Sequence, residues 1–337
     1  MKILIVTKVF YPSIGGMEKY AYMLAKTFSQ LKHSVVILTE QQCKENDNYG
    51  FKVIRSNSII KDLFCCVRNT DFCIISGFSL KYIPFTIFNK HNVIVFHNAG
   101  LGHNFQSYIK RIIVKLPILN ANKITVSSFV GQSLNLKDYK TIYNPYEDDI
   151  FKLKNDITKR KGFVFVGRIC EEKGVNLLIK AYIALFKQYS SHVDMSLDII
   201  GDGPLRKIIE SYIAKEHPDC RISFKGILIG QALNEELNKH KYQIVPSLVN
   251  EAFGIVALEG MAAGCIEICS DSDGLQEAIG NNGFLFQKGN AYSLSLCMKN
   301  LLELSDSELQ RMQAEGIKWT KRFSMKSICE QYIKLCK

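Results

Sequence analysis

The residues best suited to chemistry lie around Glu251 and the segment that follows it. Glu251 is predicted in a loop after an apolar strand, ahead of a helix that starts near Gly254 and contains Glu259. Carboxylates accept hydrogen bonds from vicinal hydroxyl groups, and the amides of Phe253 and Gly254 at a helix N-terminus would attract an anion. The pattern indicates a site for a hydroxyl-rich, anionic ligand; the alternative is an amphipathic helix that merely exposes two acids.

Two cations follow another predicted strand. Arg168 ends a Val-Gly-Arg segment, and Lys173 precedes a glycine and the next predicted helix. Arg offers a planar fork of donors and Lys offers a point charge, so together they suit a diphosphate group. The alternative is a pair of solvated cations beside Glu171 and Glu172.

A glycine pair and a histidine follow strands in the first half of the chain. Gly15 and Gly16 lie between the first predicted strand and the first helix, where glycine allows close approach of a ligand to backbone amides. The spacing is not the G-x-G-x-x-G fingerprint of dinucleotide-binding proteins, and the alternative is a plain turn between strand and helix. His97 comes directly after the apolar strand Val93–Phe96, where a single histidine is either structural or part of a ligand site.

These residues need elements that hold them at the edge of a sheet. Apolar runs alternate with segments of helical spacing, which predicts βαβ units and parallel strands. The predicted strands are Ile3–Thr7, Val35–Leu38, Phe72–Ser76, Val93–Phe96, Ile124–Ser127 and Thr141–Tyr143, then Phe163–Val166, Leu197–Ile200, Ile222–Phe224, Gln243–Val245 and Cys265–Cys269. Between these two groups, the segment 144–161 carries an Asn-Pro pair and clusters of acidic and basic residues, which predicts a linker. Ligands in such folds bind outside the carboxyl ends of the strands, so a cleft between the two halves is the predicted site.

Length and composition limit the class of protein. The 337 residues, 47% hydrophobic and 22% charged, suffice for about two globular domains. No apolar stretch reaches the ~18 residues that a spanning helix needs. The apolar N-terminus is interrupted by Lys8, which favours a buried first strand over a signal peptide. The 11 cysteines form no C-x-x-C pair, which favours reduced thiols in a cytoplasm over a disulfide framework or a zinc site.

The net charge of +11 belongs entirely to the first half. Residues 1–145 hold 18 Lys and Arg and 7 Asp and Glu, whereas residues 146–337 hold 25 of each. This asymmetry suits an anionic partner, although a general lysine bias would also produce it. Within this half, the segment His103–Leu116 predicts an amphipathic helix whose polar face carries Lys110, Arg111 and Lys115. That face suits an anionic membrane surface; the alternative is that the apolar face packs into the core and the cations are solvated.

In their order along the chain, these motifs resemble those of the family 4 retaining glycosyltransferases, including enzymes of bacterial polysaccharide and lipopolysaccharide synthesis. The matching segments are Tyr11-Pro12 to Gly15-Gly16-Met17-Glu18, Asn144-Pro145, Val166-Gly167-Arg168 with Lys173-Gly174, Gly201-Asp202-Gly203-Pro204, and Glu251-Ala252-Phe253-Gly254 to Glu259. Each motif is weak by itself, but five in register cover nearly the whole chain. The resemblance implies an α/β protein of the GT-B fold, with two Rossmann-like parallel-sheet domains facing across a cleft. Residues 1–145 would bind the acceptor, residues 146–320 would bind the nucleotide sugar, and a C-terminal helix over 321–337 could cross back to the N-terminal domain.

The resemblance also implies a role for each matching residue. Arg168 and Lys173 would bind the donor diphosphate, and the Gly15–Gly16 backbone would approach the same phosphates or the donor sugar. Glu251 would hold hydroxyls of the transferred sugar beside the amides of Phe253 and Gly254. Glu259 would hold the ribose of the nucleotide. His97 would contact the donor sugar and steady the charge that develops during transfer. The catalytic residues predicted in this way are His97 and Glu251.

The family resemblance implies no cofactor and no metal, because the two cations and the helix terminus would take the metal's place, and no Asp-x-Asp motif is placed like a metal site. The expected partners are a nucleotide-sugar donor, with UDP-sugars the most frequent in the family, a saccharide or lipid-linked acceptor and an anionic membrane surface, but no nucleic acid. The expected location is the cytoplasm, peripheral at the inner face of the membrane. Two alternatives are a Rossmann-type oxidoreductase and a non-catalytic basic binding protein.

Two positions depart from the family pattern. Asn144 is followed by Pro145 where glycine is usual, which stiffens the predicted hinge. Glu267 interrupts a strand that is apolar in the family. Because an unpaired buried carboxylate is costly, we expect Glu267 to reach solvent or a partner.

Overall fold

The computed structural model describes residues 1–13, 15–43, 48–79, 81–82, 91–98 and 121–336. The chain divides into two compact units. Unit 1 comprises Met1–Pro145 and Phe323–Lys337, and unit 2 comprises Tyr146–Arg322. Each unit is built around its own parallel sheet, as the alternating pattern predicts.

The sheet of unit 1 has the order β3-β2-β1-β4-β5-β6-β7, with parallel pairing at each step. Its strands are β1 Lys2–Thr7, β2 Ser34–Thr39, β3 Lys52–Arg55, β4 Phe72–Ser76, β5 Asn92–Phe96, β6 Asn122–Thr125 and β7 Tyr139–Thr141. Strands β1, β4 and β5 are central and buried on both faces, which explains their nearly continuous Ile and Val runs. The described helices of this part are α1 Gly16–Gln30, α2 Ile59–Val67 and α3 Ser128–Ser133.

The sheet of unit 2 has the order β10-β9-β8-β11-β12-β13, which repeats the order of the first six strands of unit 1 and, among the described residues, has no equivalent of β7. Its strands are β8 Phe163–Val166, β9 Leu197–Ile200, β10 Ile222–Gly226, β11 Tyr242–Val245, β12 Ile266–Ser270 and β13 Gly283–Phe286. Its helices are α4 Val175–Tyr189, α5 Arg206–Glu216, α6 Gly230–Leu237, α7 Ile255–Ala263, α8 Asp273–Ile279, α9 Ala291–Leu302 and α10 Asp306–Thr320. In both sheets the strand order reverses beside the first strand, between β1 and β4 and between β8 and β11. Such a reversal point opens a crevice at the carboxyl ends of the strands.

A final helix, α11 Met325–Ile333, belongs to unit 1 and packs on α1. Its Tyr332 hydroxyl lies 2.5 Å from the Tyr20 hydroxyl of α1, and both rings are buried. The last residues of the chain therefore complete the core around the first helix.

The prediction of a linker over residues 144–161 is wrong for most of that segment. Phe151, Ile157 and Arg160 are buried in unit 2, at 2%, 0% and 1% exposure. The Arg160 guanidinium donates to the carbonyl oxygens of Asn155 and Ala263. These hydrogen bonds replace those to water that the charged group loses on burial. Arg160, which the sequence predicts in a basic cluster of a linker, is therefore part of the core.

The prediction for Glu267 is also wrong. Glu267 lies in the middle of β12 at 0% exposure, and neither of its carboxylate oxygens has a hydrogen-bond partner among the described residues. Burial raises the pKa of Glu267 well above its ordinary value, because burial disfavours the charged carboxylate.

Candidate functional site

The carboxyl end of β8 carries both predicted diphosphate-binding cations. Arg168 follows the strand and pairs with Glu172, with 3.2 Å between Nη2 and Oε2, and both side chains are largely exposed. Lys173 ends a short 3-10 turn, Glu171–Lys173, and Gly174, with a φ of 71°, is the N-cap residue of α4. The turn therefore directs Lys173 differently from Arg168, although only five positions separate them.

Lys173 and Glu251 are brought into direct contact. The Lys173 Nζ atom lies 2.5 Å from Glu251 Oε1, and the two side chains are 33% and 20% exposed. The hydroxyl of Ser247 donates to the same oxygen at 2.6 Å. Ser247 follows β11 and is itself fixed, because Ser270 at the end of β12 donates to its carbonyl oxygen at 2.8 Å.

The N-terminus of α7 lies directly after this cluster. Gly254 is the N-cap residue with a φ of 104°, a left-handed conformation that favours glycine. Phe253 is buried at 1% exposure and anchors the entry to the helix. Glu259 lies further along α7 and is 7% exposed. The first amides of α7 and the Lys173–Glu251 pair thus share the carboxyl edge of one sheet, where an anion and a hydroxyl-rich group could bind side by side.

In unit 1, the predicted glycines lie at the start of α1. Gly15 is the N-cap residue in extended conformation, and Gly16 is the first helical residue. A β-carbon on Gly16 would have no neighbour within 4 Å, so the described protein does not itself require glycine here. As far as the described residues are concerned, the space beside the Gly16 backbone leaves room for a ligand.

His97 lies at the carboxyl end of β5, between two residues that sequence reasoning missed. Its Nε2 atom is 3.0 Å from the Ser76 hydroxyl at the end of β4. Its ring meets the edge of the Tyr20 ring, with 4.6 Å between centroids. Burial lowers the pKa of His97 to about 4, so the imidazole is neutral near pH 7.

The similarity of the chain to known proteins agrees with the geometry of this site. Residues 147–319, just over half of the chain, match the model of the family described as glycosyl transferases group 1. The chain belongs to this family. An uncharacterized glycosyltransferase of Methanocaldococcus jannaschii is 27% identical to it over 96% of this chain and 94% of the relative. The GPI3 subunit of the phosphatidylinositol N-acetylglucosaminyltransferase of Saccharomyces cerevisiae is 22% identical over 84% of this chain and 71% of the relative.

Solved structures show that this group 1 glycosyltransferase has the GT-B fold that its motifs predict. A glycosyltransferase from Rickettsia africae superposes with a TM-score of 0.80 at 19% identity, covering 100% of this chain and 97% of that one. Anabaena HepE, solved in complex with UDP, superposes with a TM-score of 0.79 at 16% identity, covering 99% of each chain. The family resemblance and the fold class are therefore confirmed, and of the three classes considered from the sequence the chain is a glycosyltransferase.

Some of the predicted site residues lie in parts of the chain that the structure does not describe. Lys110, Arg111 and Lys115, with the whole predicted helix of which they are part, lie outside the described residues. Within the described part of the chain, no helix is both long and apolar enough to cross a membrane. Sequence reasoning also missed Ser247 and Ser76. The available signal was a serine as the last residue of a buried strand for Ser76, and a serine two positions after a buried strand for Ser247.

A cluster of unit 2 that does not include the Lys173–Glu251 pair has side chains of the types that bind metals. Asp198, Glu236 and His240 place one ligand atom each within 4.8 Å of one another. Lys225 Nζ lies 3.2 Å from Asp198 Oδ2 and 4.0 Å from Glu236 Oε1. The ammonium group thus already occupies the position of a cation, and the cluster is an ion-pair network that joins β9, β10 and α6.

Proposed function

We propose that this protein is a retaining, metal-independent glycosyltransferase that moves a sugar from a nucleotide-sugar donor to a saccharide or lipid-linked saccharide acceptor. The observation that carries the proposal is the Lys173–Glu251 contact beside the N-terminus of α7. It joins a cation for a diphosphate to a carboxylate for sugar hydroxyls. A UDP-sugar is the favoured donor, because HepE was solved with UDP and with UDP-glucose.

The proposed site divides the donor among four groups of unit 2. Arg168 and Lys173 bind the diphosphate, with the amides of Phe253 and Gly254 beside it. Glu251 binds hydroxyls of the sugar, and Glu259 binds the ribose. These assignments follow the family motifs residue by residue.

The rate enhancement would be mainly electrostatic. Breaking the anomeric C–O bond leaves negative charge on the diphosphate and positive charge on the sugar ring. Fixed cations and helix amides stabilise the charge on the leaving group without reorganisation, which is usually the largest contribution to catalysis. In this scheme Lys173, Arg168 and the start of α7 do the work that a divalent metal does in other transferases.

His97 would contact the donor sugar as a neutral imidazole. Because burial holds its pKa near 4, it acts through a hydrogen bond and its ring dipole, not as a fixed cation. Ser76 and Tyr20 hold the ring in place, and Gly15 and Gly16 leave their backbone accessible to the phosphates or the sugar.

We place the acceptor on unit 1 and the reaction at the inner face of the membrane, in surface polysaccharide synthesis. Support comes from the charge of residues 1–145, which hold 18 Lys and Arg and 7 Asp and Glu. An anionic leaflet attracts such a surface. The name of the yeast relative likewise gives a lipid, phosphatidylinositol, as its acceptor.

A donor panel tests the proposal. The protein is incubated with UDP-, GDP-, ADP- and TDP-sugars, with EDTA present, and release of the nucleoside diphosphate is measured. Hydrolysis of one donor class that is lost in Lys173→Ala supports it, and NMR of a transferred product then reports whether the anomeric configuration is retained. Absence of release and of binding with every donor would refute it.

A further inference from the structure

Lys173 already has an anionic partner before any nucleotide binds. Its Nζ atom lies 2.5 Å from Glu251 Oε1, in a pair whose side chains are only 33% and 20% exposed. At this exposure a charge pair is stronger than at the open surface, because less water screens it. A diphosphate that binds Lys173 must therefore take the ammonium group from Glu251 or share it.

Glu251 does not depend on Lys173 alone for its position. Ser247 donates to Oε1 at 2.6 Å, and Ser247 is buried at 1% exposure with its backbone held by Ser270. Both Lys173 and Ser247 approach the same oxygen, which directs Oε2 to other donors. Glu251 would thus stay in place when Lys173 turns to a phosphate.

Resting on the proposed function, we propose that Glu251 and the nucleotide diphosphate compete for Lys173, and that this competition favours release of the product nucleotide. With an intact donor, sugar hydroxyls satisfy the Glu251 carboxylate while Lys173 binds the diphosphate. After transfer those hydroxyls have left, and an uncompensated carboxylate faces the diphosphate. When Lys173 returns to Glu251, the ion pair removes the repulsion between the carboxylate and the diphosphate and replaces the hydrogen bonds that Glu251 has lost. The diphosphate then loses its contact with Lys173 and is bound more weakly.

Competition for Lys173 has a specific thermodynamic consequence. Binding of the nucleoside diphosphate and formation of the Lys173–Glu251 pair are negatively coupled, so removing the Glu251 charge must tighten nucleotide binding. The gain must depend on Lys173. A general relief of charge repulsion would not depend on it.

Calorimetric binding of UDP tests this coupling. Glu251→Gln should bind UDP about 2- to 5-fold tighter than the unmodified protein, the range that corresponds to a partly exposed ion pair. Lys173→Met should bind it at least tenfold more weakly, and adding Glu251→Gln to Lys173→Met should restore nothing. Glu171→Gln is the matched control, since it removes the same charge two residues from Lys173 and is exposed; it should change UDP affinity less than twofold.

The outcomes separate the inference from the proposed function. If the unmodified protein binds GDP or ADP in place of UDP, the same four variants are compared with that nucleotide, and if it binds none of them the proposed function fails. If UDP binds and Lys173→Met weakens it, but Glu251→Gln gives no tightening, the competition is refuted. Tightening that persists without Lys173 refutes it as well. Should Glu251→Gln not fold, Glu251→Asp, which keeps the charge but shortens its reach to Lys173, should tighten UDP by a smaller factor, and unchanged affinity would overturn the inference.

Discussion

Gly174 packs directly against the backbone of Pro246: a β-carbon at position 174 would lie 1.9 Å from the Pro246 carbonyl oxygen. The φ of 71° at Gly174 excludes most other residues independently. This contact holds the turn after β8 against the loop after β11, which is why Lys173 meets Glu251. The glycine of the Lys-Gly motif therefore serves to position the preceding lysine.

The first prediction concerns the two cations. Arg168→Ala and Lys173→Ala should each lose at least about 2 kcal/mol of transition-state stabilisation, because each removes a charge-assisted contact to the leaving group. The measurement is kcat/KM for donor hydrolysis or transfer, with Lys180→Ala on the exposed face of α4 as control. Unchanged kcat/KM in both variants would rule out the assignment.

The second prediction separates the two carboxylates. Glu251→Gln should mainly lower kcat, because its hydrogen bonds to the sugar tighten in the transition state. Glu259→Gln should mainly raise KM for the donor, because a contact to the ribose is the same in the ground state and the transition state. Steady-state kinetics on both variants decide this, and reversed phenotypes would mean that the two roles are exchanged.

The central strands could be predicted from the sequence because burial on both faces leaves a local signal. Phe163–Val166 and Leu197–Ile200 are observed with the predicted bounds. The edge strand β13, a short Gly-Phe-Leu-Phe segment, was missed despite its three apolar residues. The edge strand β3 was missed because an edge position tolerates polar and exposed residues such as Lys52. Strand β7, Tyr139–Thr141, begins two residues earlier than predicted for the same reason.

Buried polar residues could not be predicted locally. Arg160 is satisfied in part by Ala263, 103 positions away, and Glu267 lies beside Gln243 of the neighbouring strand. Sequence spacing could place Lys173 and Glu251 at the same edge of the sheet, but not the hydroxyl of Ser247 that fixes their geometry. Such partners are set by the tertiary fold.

The third prediction concerns His97. Because burial lowers its pKa to about 4, the imidazole stays neutral from pH 5.5 to 8 and should contribute no titration to kcat in that range. His97→Gln, which keeps a neutral hydrogen-bonding group, should retain more activity than His97→Ala. A kcat profile that follows a group of pKa 6 to 7, and loses that step in His97→Gln, would contradict this.

The fourth prediction concerns the membrane. The protein should sediment with anionic vesicles at low salt and be released at high salt, since each basic residue near the surface contributes ~1 kcal/mol. The combined change Lys110→Glu, Arg111→Glu and Lys115→Glu should abolish binding and leave donor hydrolysis intact. The control makes the same charge change on exposed lysines of unit 2, at Lys180, Lys207 and Lys215. Equal sedimentation with neutral and anionic vesicles, or none with either, would refute electrostatic binding.

The fifth prediction concerns the buried acid under α7. A β-carbon on Gly260 would lie 1.5 Å from Gln243 Oε1 and 2.5 Å from Glu267 Oε1, so the two oxygens are close together. The Gln243 amide nitrogen donates to the Val256 carbonyl oxygen in the first turn of α7. Neither oxygen has a hydrogen-bond partner among the described residues, so a charged carboxylate at this position would be uncompensated. The substitution Glu267→Gln keeps the shape of the side chain as a neutral amide that has no acidic proton to lose.

The pH dependence follows from the raised pKa of Glu267. Below the ordinary pKa near 4.5 the acid is neutral in both the folded and the unfolded chain, and stability is greatest. As the pH rises towards the folded pKa, only the unfolded chain loses the proton, and stability falls by up to about 1.4 kcal/mol per pH unit. Glu267→Gln should therefore match the unmodified protein at pH 4.5 and exceed it in stability at pH 8. Urea unfolding monitored by Trp319, the sole tryptophan and a residue of unit 2, measures this, with exposed Glu216→Gln as control. An equal difference in unfolding free energy at both pH values would show that Glu267 carries its charge in the folded protein.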